Sequence, residues 1–215
     1  MDPTVVLVKV FAIFIPALIL PGPDFIAVVR SSMGRGTAAG LLTTLGVSMG
    51  LGVYATLGLL GLSAVLVRFE WLAWAIRLAG GAYLIYLGIH LLLAKHERVE
   101  VGGAHDGGAG DGKRRNSFLF GFGVTLTNPK AIVLFASVFA TSVTASTPGW
   151  LMALMIVLVM ASAAIWYTLV SLFMSSAPVM RSFGHARHRI ERAAGACFVL
   201  IGGRILLESR TPLTP

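Results

Sequence analysis

Long apolar stretches broken by short polar segments dominate this chain from end to end. Crossing the hydrocarbon core of a bilayer takes about 20 mostly apolar residues, and such stretches fall at roughly 4–30, 38–67, 71–94, 117–143, 149–175 and 190–208. No charged residue occurs between Lys130 and Arg181. That run is too long for one crossing, and Ser146-Thr147-Pro148-Gly149 supplies turn chemistry that divides it in two. The pattern predicts an all-α, polytopic membrane protein of six transmembrane helices.

Composition narrows the alternatives. Charged residues are 12% of the 215 and hydrophobic ones 56%, where a soluble domain has about 25% charged residues. A water-soluble surface cannot be built from so few. Residues 1–20 have the length of a secretory leader, but their start is not basic, and Pro21-Gly22-Pro23-Asp24 stands where a small-residue cleavage site would be. They are read as the first span. The lone Cys197 lies in an apolar run and behaves as a small hydrophobe, so no disulfide, metal or cofactor is expected. The net charge of +8 is divided among short segments between apolar stretches, so no nucleic-acid partner is expected and the cations act as topology signals.

Arg30 and Arg35 fall in the first loop, Lys95, Arg98, Lys113, Arg114 and Arg115 in the third, and Arg181, Arg187, Arg189 and Arg192 in the fifth. The other side has only Lys9, Arg68 and Arg210, near span ends. By the positive-inside rule the odd loops are cytoplasmic and both termini face outward. Residues 95–116, rich in glycine and charge, read as a flexible cytoplasmic linker between a first repeat, 1–94, and a second, 117–215, of three spans each.

The halves show self-similarity. Arg77, Gly80, Gly88 and Leu92 of span three fall on Arg192, Gly195, Gly203 and Leu207 of span six without a gap, and Pro23-Asp24 of span one corresponds to Pro129-Lys130 of span four. With three spans per half, the second enters from the opposite side. The result is two inverted three-helix repeats with broken helices one and four.

Proline removes a backbone donor and clashes with the preceding turn, so unpaired carbonyls are expected near Leu18 to Leu20 and near Val124 to Leu126. Irregular backbone at membrane depth survives only inside protein or against a wet cavity. Helices restarting at Pro23 and Pro129 offer N–H groups to a carboxylate, while stranded carbonyls suit an ammonium. An ionisable residue inside a span costs at least about 2.5 kcal/mol on insertion scales and marks function by default. The expected substrate-binding set is therefore Pro21, Gly22, Pro23, Asp24, Asn128, Pro129 and Lys130, with Asp24 also the candidate proton carrier. The plainer alternative is an Asp24–Lys130 pair that only fixes packing.

Other positions add less. Gly46 and Gly50, with Gly52, Gly58 and Gly61, form a small-residue stripe suited to close helix packing. Thr43, Thr44, Ser48, Tyr54 and Thr56 are candidate cavity hydroxyls, although Ser and Thr in such helices often bond the preceding turn. Tyr83, Tyr86 and His90 read first as packing or interfacial anchors, Arg204 as a cation that snorkels from the end of span six, and Trp71, Trp74 and Trp150 as an outer aromatic belt.

Pro21-Gly22-Pro23-Asp24, Gly34-Arg35-Gly36 leading to Ala39-Gly40 and Gly46-Val47, Gly81-Ala82-Tyr83-Leu84 with Tyr86-Leu87-Gly88, and Asn128-Pro129-Lys130 occur in that order. Together they resemble the LysE/RhtB family of amino-acid exporters over nearly the whole chain, the linker and far C-terminus excepted. The resemblance implies efflux of basic or small neutral amino acids across the bacterial inner (plasma) membrane, driven by the proton motive force. The partners expected are an amino acid, protons, the lipid bilayer and a possible homodimer copy. A metal or other cation efflux carrier is the alternative, but Asp24 and His90 make a thin ligand set. An intramembrane enzyme would need a nucleophile or metal constellation that the spans lack. A pure assembly protein leaves the matched breaks unexplained.

Overall fold

Where nearly every position is apolar, the backbone must satisfy its own hydrogen bonds, and an α-helix does so within one segment. The computed structural model describes residues 2–68, 70–93, 111–143, 147–173 and 177–208. Every regular element among these is an α-helix: α1 (Pro3–Ile19), α2 (Pro23–Arg35), α3 (Thr37–Arg68), α4 (Glu70–Leu93), α5 (Asp111–Leu126), α6 (Pro129–Ser142), α7 (Gly149–Phe173) and α8 (Ala177–Glu208). Asp2 caps α1 by accepting from the Thr4 N–H at 2.8 Å, with Pro3 at the first helical position. Gly36, at φ 86°, lets α2 turn directly into α3; that left-handed backbone favours glycine.

The α1–α2 pair is bent by 45° and the α5–α6 pair by 60°, at Leu20-Pro21-Gly22 and at Thr127-Asn128. Among the described residues α3 and α7 are each long and apolar enough to cross a membrane, and the two bent pairs bring the number to four if each is one span. The described apolar part of α4 is shorter, Leu78–Leu93, and α8 carries a run of Arg and His before Ala193. Residues 95–110 of the expected linker, and Ser146 of the expected turn, lie outside the described residues. Helix α5 begins at Asp111, before the expected end of that linker; the acidic first residue suits a helix start, and Lys113, Arg114 and Arg115 have good helix propensity although their charges oppose the positive end of the helix.

Helix α3 is the centre, packed by α2, α4, α5, α6 and α7, while α4 also lies along α8. Contacts fix the relative directions. Gly46 meets Phe118 and Gly50 meets Thr125, so α3 and α5 run parallel. Gly40 meets Ser171 and Gly52 meets Met160, so α3 and α7 run antiparallel. Gly81 faces Gly202 and Gly88 faces Gly195, so α4 and α8 are antiparallel too. Gly46, Gly50, Gly52 and Gly58 of the α3 stripe thus serve close packing, as their spacing predicts, whereas a Cβ on Gly61 would meet nothing within 4 Å. Phe14, Phe25, Phe135, Phe139 and Phe198 fill the interior, whereas Leu57, Val157, Ile165 and Leu200 point outward, where a membrane protein meets lipid. Trp71, Trp74 and Trp150 are exposed, on the first turns of α4 and α7.

A Cβ on Gly88 would lie 2.6 Å from the Gly195 carbonyl oxygen, and one on Gly195 2.8 Å from that of Gly88. Gly88→Leu and Gly195→Leu should therefore push α4 and α8 apart at a cost of about 1–3 kcal/mol or more, seen as a lower melting temperature in detergent. Gly203→Ala, with nothing within 4 Å of its Cβ, should melt at or above the parent.

Candidate functional site

Two prolines and one cap decide which backbone groups are left over. Pro21 has no N–H, so the Ala17 carbonyl, four residues earlier, has no donor to complete the ladder. The bond before it runs from the Leu20 N–H to the Pro16 carbonyl at 3.2 Å. Lys130 fills the vacancy: its Nζ donates to the Ala17 carbonyl at 3.1 Å. At the second break the Asn128 side chain accepts from the Lys130 N–H at 3.1 Å and caps α6. That N–H is the helical partner of the Leu126 carbonyl, which instead accepts the Tyr54 hydroxyl at 2.6 Å. The expected stranded carbonyls near Leu18 to Leu20 are thus represented by Ala17, because Pro21 rather than Pro23 sets the count. Of the stretch Val124 to Leu126, Leu126 turns to Tyr54, Val124 accepts the Thr127 hydroxyl at 3.2 Å, and Thr125 accepts from the Asn128 N–H at 3.0 Å.

Asp24 sits in the first turn of α2, where a negative charge favours the helix N-terminus, and only 7% of it is exposed. The Thr125 hydroxyl donates to its Oδ1 at 3.1 Å, and the Asn128 side chain faces the same carboxylate. Carboxylate and ammonium therefore each have their own partner on the opposite break, and both face one cavity. Gly22 stands beside them with φ −154° and ψ −170°, extended backbone open to any residue. A Cβ there would lie 3.6 Å from the Lys130 Nζ, an ordinary contact, so Gly22 is the residue that lies directly beside the ammonium. The N-terminus of α2 has no side-chain cap, in contrast to α6.

Gly22, Pro23, Asp24, Asn128 and Lys130 of the expected set line a cavity of about 30 Å³, room for ordered water. Pro21 and Pro129 shape the two breaks behind it. Phe14, Leu18, Leu51 and Leu134 give it apolar walls, and Tyr167, 3% exposed on α7, completes it. Sequence reasoning missed Ala17, Thr125 and Tyr167. Ala17 was available by counting four back from Pro21; Thr125 and Tyr167 had only their polarity inside apolar spans to mark them. Of the candidate hydroxyls, Tyr54 bonds the second break, whereas Thr56 bonds the Gly52 carbonyl of its own helix at 2.8 Å. His90 is exposed and stacked on Tyr86, with ring centroids 6.1 Å apart, and is not among the cavity residues. Among the described residues no three His, Cys, Asp or Glu side chains converge as a metal site would need.

Tyr54→Phe should leave the Leu126 carbonyl without its donor and destabilise the fold by about 1–3 kcal/mol, measured as a lower melting temperature in detergent. Thr56→Val, which removes only a bond within one helix, should change it little.

Comparison with known proteins places this geometry in a family. The family model of LysE type translocators matches residues 15–209. The threonine efflux protein of Escherichia coli K12 is 32% identical over 202 residues, 91% of this chain and 95% of that protein. Its counterpart in Salmonella typhi is 30% identical over 198 residues, again 91% and 95%. A membrane protein of Escherichia coli K12 named YahN is 27% identical over 211 residues, 98% of this chain and 93% of its own. No solved structure matches the chain. With the family matched across both helix breaks and the apolar helices to carry them, this chain is a multi-pass membrane protein that belongs to the LysE type translocator family.

Proposed function

We propose that the chain is a secondary transporter that exports amino acids, basic or small neutral, from the cytoplasm across the bacterial plasma membrane, driven by the proton motive force. The observation that carries this reading is the convergence of Asp24, Lys130 and the uncapped N-terminus of α2 on one small cavity between two helix breaks. An amino acid's ammonium is served by the Asp24 carboxylate and by the Ala17 carbonyl that Lys130 now occupies. Its carboxylate is served by the Lys130 ammonium beside Gly22 and by the positive end of α2, which has no side-chain cap. The cavity, at about 30 Å³, is too small for an amino acid as it stands, so a solute enters when the helices part, and a proton arriving on Asp24 resets the site. The relatives of this chain include threonine efflux proteins, which agrees with a small polar solute.

In the same reading the fold is six spans arranged as two inverted repeats, with α1–α2 and α5–α6 as broken spans one and four. Helix directions support it: spans two and four parallel, two and five antiparallel, three and six antiparallel, as alternating crossings require. So does the reciprocity of the α4–α8 contact. A two-fold axis through that pair exchanges Gly81 with Gly195 and Gly88 with Gly202, one residue out of register with the pairing of Gly80 with Gly195 read from the sequence. The exposed Arg30 and Arg35 then mark the cytoplasmic end, and the exposed tryptophans of α4 and α7 the outer one.

Uptake of a panel of radiolabelled amino acids into inverted vesicles, with and without a pH gradient, tests the function. Accumulation of an amino acid that collapses with the gradient is expected; transport of a divalent metal and of no amino acid would overturn the reading in favour of a cation carrier. Asp24→Asn should insert normally yet abolish export, and Lys130→Ala should raise KM more than it lowers kcat. A well-expressed Asp24→Asn protein with full transport would remove the carboxylate from the mechanism.

A further inference from the structure

On the Arg30 and Arg35 side of Asp24, helices α2, α3, α5 and α7 share a set of hydroxyl contacts. Ser32 Oγ donates to Ser171 Oγ at 2.9 Å, and Ser171 Oγ reaches the Thr37 carbonyl at 3.4 Å, tying α2 to α7 and to the start of α3. Gly40 leaves the room for this, because any Cβ there would collide with both serine hydroxyls. Beside it the Thr43 hydroxyl lies 2.8 Å from Ser31 Oγ and 3.2 Å from the Ser117 carbonyl, joining α3 to α2 and α5. The far side of the cavity is different: Phe14, Phe135, Phe139 and Tyr54 stack there.

Between the serine contact and the cavity run Thr44 and Ser48, 2% and 4% exposed, whose hydroxyls have no hydrogen-bond partner. Hydroxyls in membrane helices ordinarily bond the carbonyl four residues back, and an unpaired buried one is a cost that a fold avoids unless the group serves another state. The two are one turn apart on α3, in the row that begins at Gly40 and ends at Gly52. Both glycines abut α7, at Ser171 and at Met160. The next residue before Gly52, Leu51, lines the cavity together with Tyr167 of α7. The row therefore leads from the serine contact to the site.

We propose that this seam is the closed inner half of the translocation path, with Ser32–Ser171 as its gate and the Thr44 and Ser48 hydroxyls as a transit site for a polar, zwitterionic solute. The proposal rests on the exporter reading and its orientation. Hydroxyl contacts are modest in net strength and exchange readily with water or with a solute's ammonium and carboxylate. A seam built of them parts and recloses with little imbalance, and once parted it gives Thr44 and Ser48 the partners they lack.

The test starts from a Cys197→Ser background, which leaves no other thiol. A Ser32→Cys, Ser171→Cys protein is oxidised to join α2 to α7, and export is read before oxidation, after it and after reduction. Separately, Ser48→Cys is exposed to a membrane-impermeant methanethiosulfonate from either face, alone and in the oxidised triple variant. The expected result is export lost on oxidation and restored on reduction, with Ser48→Cys reactive from the cytoplasmic face only while the pair is open. Full export by the oxidised protein, reaction of Ser48→Cys regardless of the disulfide or only from outside, or failure of the pair to cross-link would each overturn the gate. A Cys-free parent that moves no amino acid, while Ser48→Cys still reacts in the disulfide-dependent way, would overturn the exporter reading and leave the gate standing.

Discussion

A carbonyl oxygen without a donor inside a bilayer costs several kcal/mol, and the arrangement of this molecule follows from having two helix breaks at membrane depth. Pro21 strands the Ala17 carbonyl, and the Asn128 cap strands that of Leu126. Neither can face lipid. Each is answered by a side chain from elsewhere: Lys130 Nζ, just past the second break, serves the first, and Tyr54 of the central helix serves the second. This cross-service presses α1–α2 against α5–α6 and both against α3, and a cavity between them is its by-product.

The same interactions explain why two charges are tolerated so deep. Asp24 has the Thr125 hydroxyl and the N-terminal end of α2; Lys130 has a carbonyl that the helix cannot use. Each charge is thus solvated by groups that the opposite break makes available, in addition to the attraction between the two charges themselves. A close ion pair would leave little for a substrate to displace. Two separately solvated charges across a small space can instead exchange their present partners for the ends of a zwitterion.

Much of this was legible in the sequence because it is local. Apolar length gives the helices, Pro21, Pro23 and Pro129 give the breaks, and Asp24 and Lys130 announce themselves as charges among apolar residues. Even the identity of the stranded Ala17 carbonyl follows from Pro21 by counting back one turn. What was not legible is long-range. Tyr54 reaches a carbonyl 72 residues away and Thr125 a carboxylate 101 residues away, and no spacing rule links such positions. The one-residue register between α4 and α8 was also hidden, since adjacent glycines, Gly80-Gly81 and Gly202-Gly203, make neighbouring alignments nearly equivalent until backbone contact chooses between them.

The two sides of the site differ in a way that bears on how a transporter cycles. Outward of the breaks the walls are aromatic and well packed, so parting them exposes apolar surface, which raises the cost of opening unless a solute or lipid covers it. On the Arg30 and Arg35 side, the helices touch through Ser32, Ser171, Thr43 and Ser31 beside the buried Val28, Val47 and Val170, and parting the hydroxyls trades one set of hydrogen bonds for another to water. Under the proposed orientation, the hydroxyl seam is the side poised to open in an empty molecule. The proposed exporter would use that asymmetry: its empty site presents itself to the cytoplasm through the hydroxyl seam, and the aromatic side opens when a zwitterion's contacts at the proposed site supply the difference.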